Sequence, residues 1–509
     1  MAHGWQRRPS WILLIVVLIA SAAQARDQLD TWCETTTDGF RIISDLSETD
    51  LLELLGKFAP FAELVDEFLP GTAIRKPRPL QMVIFKNRGD FRRILRAKKF
   101  TGFMQPSLTT NTLVIGPGQR PQDLHTTALH EYSHYLLRNR LDVSLPLWFD
   151  EGIASLLSSM KFHAETVEVG DLPRSRMAEL VQTERRGGGR QLAQTPSSLN
   201  AVSLRQALEA EYILHWSGER LHQFYDWSWL TTHYLLLGES GGEKPAEEDR
   251  ADSLNQYLSS RDTSLIEHLQ TDYREFAKAL QHHVRNRVAG KTLQLPAVVE
   301  TSYTYRCLEA ADRDYQLAMA ALNRNPKGAA RLLEPHFAAQ PQSVKLLVAM
   351  ARIEARGNDR SRAQLLSARA LQLAPEDVDA TITHANLLVG DCIVTHNDEC
   401  RRNWREAVPL YRSAIRIDHE RFDAVFGLGL SYLYSGRPGE AVNYLRVVYG
   451  KTPWSSQVNF YLGEGYRLIG DNRARIHLSN ARNWANDEFW RRVAETALDQ
   501  LDNPRIEDQ

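Results

Sequence analysis

The sequence predicts two folds in tandem: an α+β domain in which a small sheet carries helices, followed by an all-α superhelix of repeated hairpins. Between residues 34 and 118, three β-rich runs ("FRIIS", "LQMVIF" and "NTLVIG") flank "ETDLLELLGKFAPFAELVDEFL", whose apolar residues fall at helical spacing. From Pro121 to about residue 288 helical patterns dominate, and beyond about residue 310 the chain repeats itself. At 509 residues it exceeds one ordinary core, so two or three domains are expected.

The repeat is read from two registers. Ala329, Ala363, Ala407 and Ala441 are separated by 34, 44 and 34 residues, and so are Pro341, Pro375, His419 and Pro453. Leu428, Gly429 and Tyr432 recur 34 residues later as Leu462, Gly463 and Tyr466. That is the tetratricopeptide (TPR) period, in which small residues let paired helices approach closely. The extra ten residues fall once, around Cys392 and Cys400. About four repeats plus a capping helix are expected over residues 305–500. Their concave face would hold a protein partner or peptide, or would support the neighbouring domain.

Within the first domain, expected at residues 30–300, "NTLVIG" ends at the turn cluster "GPGQRP". A helix is expected through "TTALHEYSHYLL" and another at "LWFDEGIASLLSSM" after Pro146. Residues 161–200, with "ERRGGGR", read as a mobile loop. Helical patterns return at "LRQALEAEYIL", at "FYDWSWLTTHYLLLG" and through residues 252–288, with "GESGGEKPAEEDR" as a solvated excursion.

Arg7 and Arg8 precede the apolar run "WILLIVVLIA", which then meets "SAAQA". This is the pattern of a signal peptide over residues 1–25, cleaved after Ala25; an uncleaved anchor is the alternative. The run is short for a bilayer, so no stable membrane span is expected after cleavage. Cleavage takes the formal net charge from -2 to -4, which attracts neither nucleic acid nor an anionic membrane. A hydrophobic content of 43% with 24% charged residues excludes global disorder. The four cysteines fit an exported, periplasmic or secreted protein, with Cys392–Cys400 and Cys33–Cys307 as the suggested pairs. Four buried thiols are the alternative, and four cysteines permit three connectivities.

The chemistry lies in "HEYSH". His130 and His134 are four apart, so on a helix both imidazoles project from one face, with Glu131 toward the same open side. With sixteen residues between it and His134, Glu151 opens a second helix that can fold back antiparallel and bring a carboxylate to the two rings. Two imidazoles and a carboxylate leave one position for water, the pattern of catalytic zinc. "HEYSH" followed by "WFDEGIA" resembles the gluzincin metallopeptidases, whose second motif is a Trp-x-x-Glu-Gly-x-Ala string. The resemblance implies a zincin-like metallopeptidase domain with His130, His134 and Glu151 as Zn2+ ligands. It also implies that "TLVIG" edges the substrate cleft. "FYDWSWLTTHYLL" resembles the helix that closes the cleft in uncharacterised bacterial members, some of which carry C-terminal TPR repeats.

The expected function is therefore an exported zinc-dependent peptidase acting on a peptide or protein. Zinc-bound water has a pKa near 7, and Glu131 would take its proton and deliver it to the leaving amine. Tyr225 and His233, on the closing helix, are the candidates for stabilising the oxyanion, with aromatic packing as the alternative for each. Asp150 would either hydrogen-bond a ligand histidine or cap the Glu151 helix. Trp148 reads as a packing anchor and His125 as a surface residue. His282 and His283, being adjacent, make a poor metal pair. The rival reading is an exported TPR scaffold with a vestigial or structural zinc site.

Overall fold

The computed structural model describes residues 31–503 apart from 69–78, 98–99, 119–122, 142–143, 172–201, 212, 214–215, 217, 239–246, 261–262, 286–289, 297–301, 394–396 and 486–487. The expected signal peptide and "ERRGGGR" lie outside the described residues.

Six strands form the main sheet: β1 (Cys33–Thr36), β2 (Phe40–Ser44), β3 (Leu80–Ile84), β4 (Gly102–Gln105), β5 (Asn111–Ile115) and β9 (Thr304–Cys307), in the order β4-β5-β3-β2-β1-β9. β2, β3 and β5 are parallel, and their buried residues Ile42, Met82 and Leu113 stand level across the sheet. The outer strands β4, β1 and β9 run antiparallel to their neighbours. "TLVIG" is therefore an interior strand, contrary to expectation, and the edge belongs to β4. The "GFMQ" of β4 is too short and too poor in β-branched residues to stand out as a strand in sequence. Cys33 faces Cys307 across β1 and β9, and the two are disulfide-bonded.

Helix α1 (Glu48–Val65), capped by Ser47, and α3 (Asp123–Arg140) cover one face of the sheet. Tyr132 of α3 packs among Phe40, Phe58 and Phe61. The C-terminal end of α3 is fixed by Arg140, which donates to Asp66 at 2.7 Å and to the Ala62 carbonyl at 2.8 Å. Helix α2 (Arg88–Leu95) lies on the opposite face.

Helix α4 (Leu147–Ser158) follows α3, and a hairpin of β6 (Lys161–Phe162) and β7 (Thr166–Val169) pairs with β8 (Lys291–Gln294). The described start of the expected mobile loop is thus a small sheet. "LRQALEAEYIL" forms only the five-residue α5 (Leu204–Leu208), where Glu209 leaves the helical path and accepts from Tyr273. Helix α6 (Glu219–Leu237) packs on α4 and is followed by α7 (Glu247–Ser260), α8 (Leu265–His268) and α9 (Tyr273–Arg285). The expected solvated excursion ends inside α7, where Arg250 is buried at 2% exposure with its guanidinium over the Tyr234 ring.

The second half is a stack of tetratricopeptide-type hairpins. The pairs are α10 (Ala310–Ala321) with α11 (Pro326–Ala339), α12 (Val344–Arg356) with α13 (Arg360–Leu373), α14 (Val378–Val389) with α15 (Asp398–Ile417), α16 (Phe422–Tyr434) with α17 (Pro438–Tyr449), and α18 (Ser456–Leu468) with α19 (Arg473–Asn483). Helix α20 (Glu488–Asp502) caps the last pair. Five hairpins are therefore present where about four were expected. The fifth repeats the buried alanine at Ala474, one residue off the 34-residue period. Ala329, Ala363, Ala407 and Ala441 have no exposure, and a side chain at Gly463 would meet Leu478 Cγ at 2.8 Å. The extra residues lie between α14 and α15, where Cys392 and Cys400 are bonded.

The two halves share a core. Val83, Phe85 and Val114 from the sheet, with Phe91 and Ile94 from α2, pack against Leu317, Ala321, Leu333 and Ile353 of the first repeats. Asn325 donates to the Ile94 carbonyl at 2.8 Å and Gln105 to that of Ala320 at 3.0 Å. Farther along the stack, Leu108 of the β4–β5 hairpin packs with Val425, Val448 and Val458. Arg491 of α20 forms an ion pair with Glu211. The stack thus meets the first domain at both ends.

Candidate metal centre

α3 and α4 meet as a helical hairpin, which brings His130 and His134 from one to Glu151 from the other. The ligand atoms of the three all lie within 4.8 Å of one another. Nε2 of His130 is 3.2 Å and Nε2 of His134 is 3.8 Å from Oε2 of Glu151. Ligands about 2.0–2.1 Å from a tetrahedral zinc stand roughly 3.3 Å apart, so small side-chain movements would complete such a shell. Oε2 of Glu151 is buried without a well-formed hydrogen bond and faces the Nε2 atoms of both histidines, where a shared cation would balance its charge. Two imidazoles and one carboxylate suit zinc among the common divalent ions, so the residues fit the ion.

Asp150 resolves its two readings by geometry. Pro146 occupies the cap of α4, while Asp150 Oδ1 accepts from Nδ1 of His134 at 2.9 Å. That bond leaves the Nε2 lone pair of His134 available on the side of Glu151. Burial opposes the Asp150 charge, but His134 and Arg138 outweigh it and hold the carboxyl down at about 2.

Glu131 lies one residue from His130 and is almost wholly buried. Burial raises its pKa, with the two histidines acting in the opposite direction. β4 backs it closely: a Cβ added at Gly102 would stand 2.8 Å from Glu131 Cγ and 2.9 Å from its Oε1. Glycine at 102 therefore lets the edge strand approach the acid.

Tyr225 lies at the cleft with His130 and Glu131, and burial followed by the charges of Glu151 and Glu131 raises its pKa. It is a neutral phenol beside the three site residues. His233 is not at the site. It is fully buried, donates through Nε2 to the Gly170 carbonyl at 2.8 Å, and meets His283 Nε2 through Nδ1 at 2.8 Å. Both ring nitrogens are used in joining α6 to β7 and α9, so it has no donor left for a substrate. Its position two turns beyond Tyr225 on the same helix is what makes it look like a site residue in sequence.

Trp148 is fully buried, as a packing anchor should be. Gly152 in "EGIA" lies where α4 approaches α6 closely. A side chain there would stand 2.4 Å from the Ser228 carbonyl oxygen and 2.2 Å from Thr232 Oγ1. His125 is half-buried with Nδ1 2.7 Å from Lys57 Nζ, and His282 is exposed while its neighbour His283 is buried.

Two cavities of about 670 and 530 Å³ flank the site and share Phe100, Gly102, His130, Glu131, Ile213 and Tyr225. One extends toward Trp216 and Trp229, the other toward Arg138, Leu141 and the repeats. Phe100, Gly102 and the repeat residues at the second cavity were not identified from sequence. Their place depends on long-range packing that no local pattern encodes.

No family model matches the chain. No curated protein matches it either. Among solved structures, a thermophilic TPR protein from Thermus thermophilus, TTC0263, is 18% identical over 37% of this chain and 99% of its own, with a TM-score of 0.32. MamA from MSR-1 is 20% identical over 34% of this chain and 92% of its own, with a TM-score of 0.28. YrrB, described as a TPR protein with an unusual peptide-binding site, is 15% identical over 36% and 92%, with a TM-score of 0.29. The repeat assignment rests on this chain's own period and helical hairpins. Two disulfides are consistent with export, and no described helix is long and apolar enough to cross a membrane.

Proposed function

We propose that the chain is an exported, zinc-dependent peptidase of gluzincin type. The observation that carries this reading is the convergence of His130, His134 and Glu151 beside Glu131 on a continuous cleft. His130, His134 and Glu151 would hold a zinc ion, which when bound would supply a water acidic enough to react near neutral pH and a Lewis acid for a carbonyl. Asp150 holds the His134 tautomer. Glu131 would accept a proton from the attacking water and return it to the leaving amine. Tyr225 offers a phenolic O–H to developing negative charge on the former carbonyl oxygen.

The cleft favours a peptide over a compact small substrate. β4 is the edge of the main sheet, and Gly102 lines both cavities, so an extended chain can lie along its unpaired side as an added strand. The repeats act in substrate or partner binding. The test is hydrolysis of a quenched-fluorescent peptide library by the zinc-loaded full chain and by Glu131→Gln. Cleavage by the wild type, reduced about 100-fold or more in the variant, is expected. Equal activity in the two, or none in the wild type, would leave a TPR scaffold with a structural or vestigial metal site.

A further inference from the structure

The cavity of about 530 Å³ beside the metal ligands is closed on its far side by the second half of the chain. Arg324, in the turn between α10 and α11, lines it, as do Trp454, Ser455 and Ser456 at the start of α18, Trp484 after α19, and Trp490 of α20. These residues come from the first and last hairpins and the cap, more than 100 residues apart in sequence. The shared core at one end and the Arg491–Glu211 ion pair at the other hold them opposite α3 and β4.

The wall has a defined chemistry. Trp454 and Trp490 are half-buried and offer apolar surface suited to side chains of an extended peptide, while Trp484 is buried in the wall. Arg324 is the charged exception. Its guanidinium is 4.1 Å from the Phe100 ring centre and 4.0 Å from that of Phe103, so the two aromatics hold it at the cleft. Among the described residues no carboxylate lies within ion-pair distance of it, and no side-chain or backbone oxygen accepts from its guanidinium. Of the acids on the opposite wall, Asp150 pairs with His134, Glu151 faces His130 and His134, and Glu211 pairs with Arg491, while Glu131 acts on Arg324 through its charge without a hydrogen bond or ion pair to it. A planar fork of donors held over aromatic rings with no acceptor suits a carboxylate.

We propose that the cleft is a composite peptide-binding site, one wall of which is the repeat stack, and that Arg324 receives a carboxylate of the bound peptide. The inference rests on the peptidase reading for its substrate class, but it concerns binding and is tested as binding. The carboxylate is either the peptide's C-terminus or an acidic side chain, and both sources present the same two oxygens.

The test uses the zinc-loaded full chain carrying Glu131→Gln, so that peptide is not consumed, and calorimetric titration with three N-acetylated octapeptides of Ala, Phe, Ser and Gln. One is amidated and neutral, one has a free C-terminus, and one is amidated with a single Glu. At least one carboxylate peptide should bind about tenfold or more tightly than the neutral one. The responding arm identifies the source. Adding Arg324→Gln should erase that preference and leave the neutral peptide within about twofold, while Arg324→Lys should retain part of it. Trp454→Ala should weaken all three peptides about tenfold. Equal binding of the three peptides, or a preference that survives Arg324→Gln, would overturn the proposal. If binding follows the expected pattern but the wild type hydrolyses nothing, the peptidase reading fails and the composite site stands. Hydrolysis without the carboxylate preference has the opposite meaning.

Discussion

Asp150 and His134 show how much a single side chain contributes at this site. The 2.9 Å bond between them fixes one ring nitrogen so that the other is free for a metal. Replacing Asp150 by Asn keeps the shape but removes the charge and allows the amide to face the ring the wrong way. Zinc affinity should fall about 10–100-fold in chelator competition while the thermal unfolding of the metal-free chain changes little. Unchanged affinity would show that the bond is incidental. His233 and His283 make the opposite case, two histidines committed to the interior. Burial lowers the pKa of both, that of His283 to about 3. In the unfolded chain each titrates near 6.5, so below about pH 6.5 the unfolded state binds more protons than the folded one, down to about pH 3 for His283. Their contribution to stability is therefore complete above about pH 6.5 and is lost as pH falls below it. The slope is at most about 1.4 kcal/mol per pH unit for each ring. Urea midpoints measured from pH 7 to pH 5 should fall, and His283→Gln should flatten that slope; an equal slope in the variant would assign the dependence to other groups.

Elements place these residues. α3 carries His130, Glu131 and His134, α4 carries Glu151, and α6 holds α4 in place through contact at Gly152. Gly152→Ala should destabilise the chain by about 1–3 kcal/mol, because the added carbon meets the Ser228 carbonyl, which belongs to the α6 backbone and cannot swing away. Chemical denaturation measures this, and a change below about 0.5 kcal/mol would mean that the two helices separate without cost. The helices that carry His130, His134 and Glu151 were legible because the four-residue step between the histidines and the sixteen residues separating His134 from Glu151 report local geometry. So were β2, β3 and β5, whose runs are apolar and β-branched. The edge strand β4 was not, since "GFMQ" owes its conformation to pairing with β5. β9 was equally hidden: "TYRC" is largely exposed, and its pairing with β1 joins residues some 270 positions apart. Tyr225 and His233 looked alike in sequence, and only the packing of α9 and β7 around His233 separates them.

At the scale of the whole molecule, the repeat stack closes onto the α+β half and supplies one wall of its cleft. The 34-residue period announced the hairpins but held no information about where the stack would turn back. That depends on Leu317, Leu333 and Ile353 meeting the sheet, and on Leu108 reaching Val425, Val448 and Val458. The disulfide between Cys33 and Cys307 ties the first strand to the last strand before the repeats, which fixes where the stack begins. All of this arrangement serves a centre made of two imidazoles and a carboxylate. X-ray absorption at the zinc edge of the fully loaded chain tests that centre most directly. The account predicts one zinc per chain with four nitrogen or oxygen neighbours at about 2.0–2.2 Å, two of them with imidazole scattering, and loss of that signature in Glu151→Ala. Sulfur neighbours at about 2.3 Å, or an unchanged spectrum in Glu151→Ala, would contradict it.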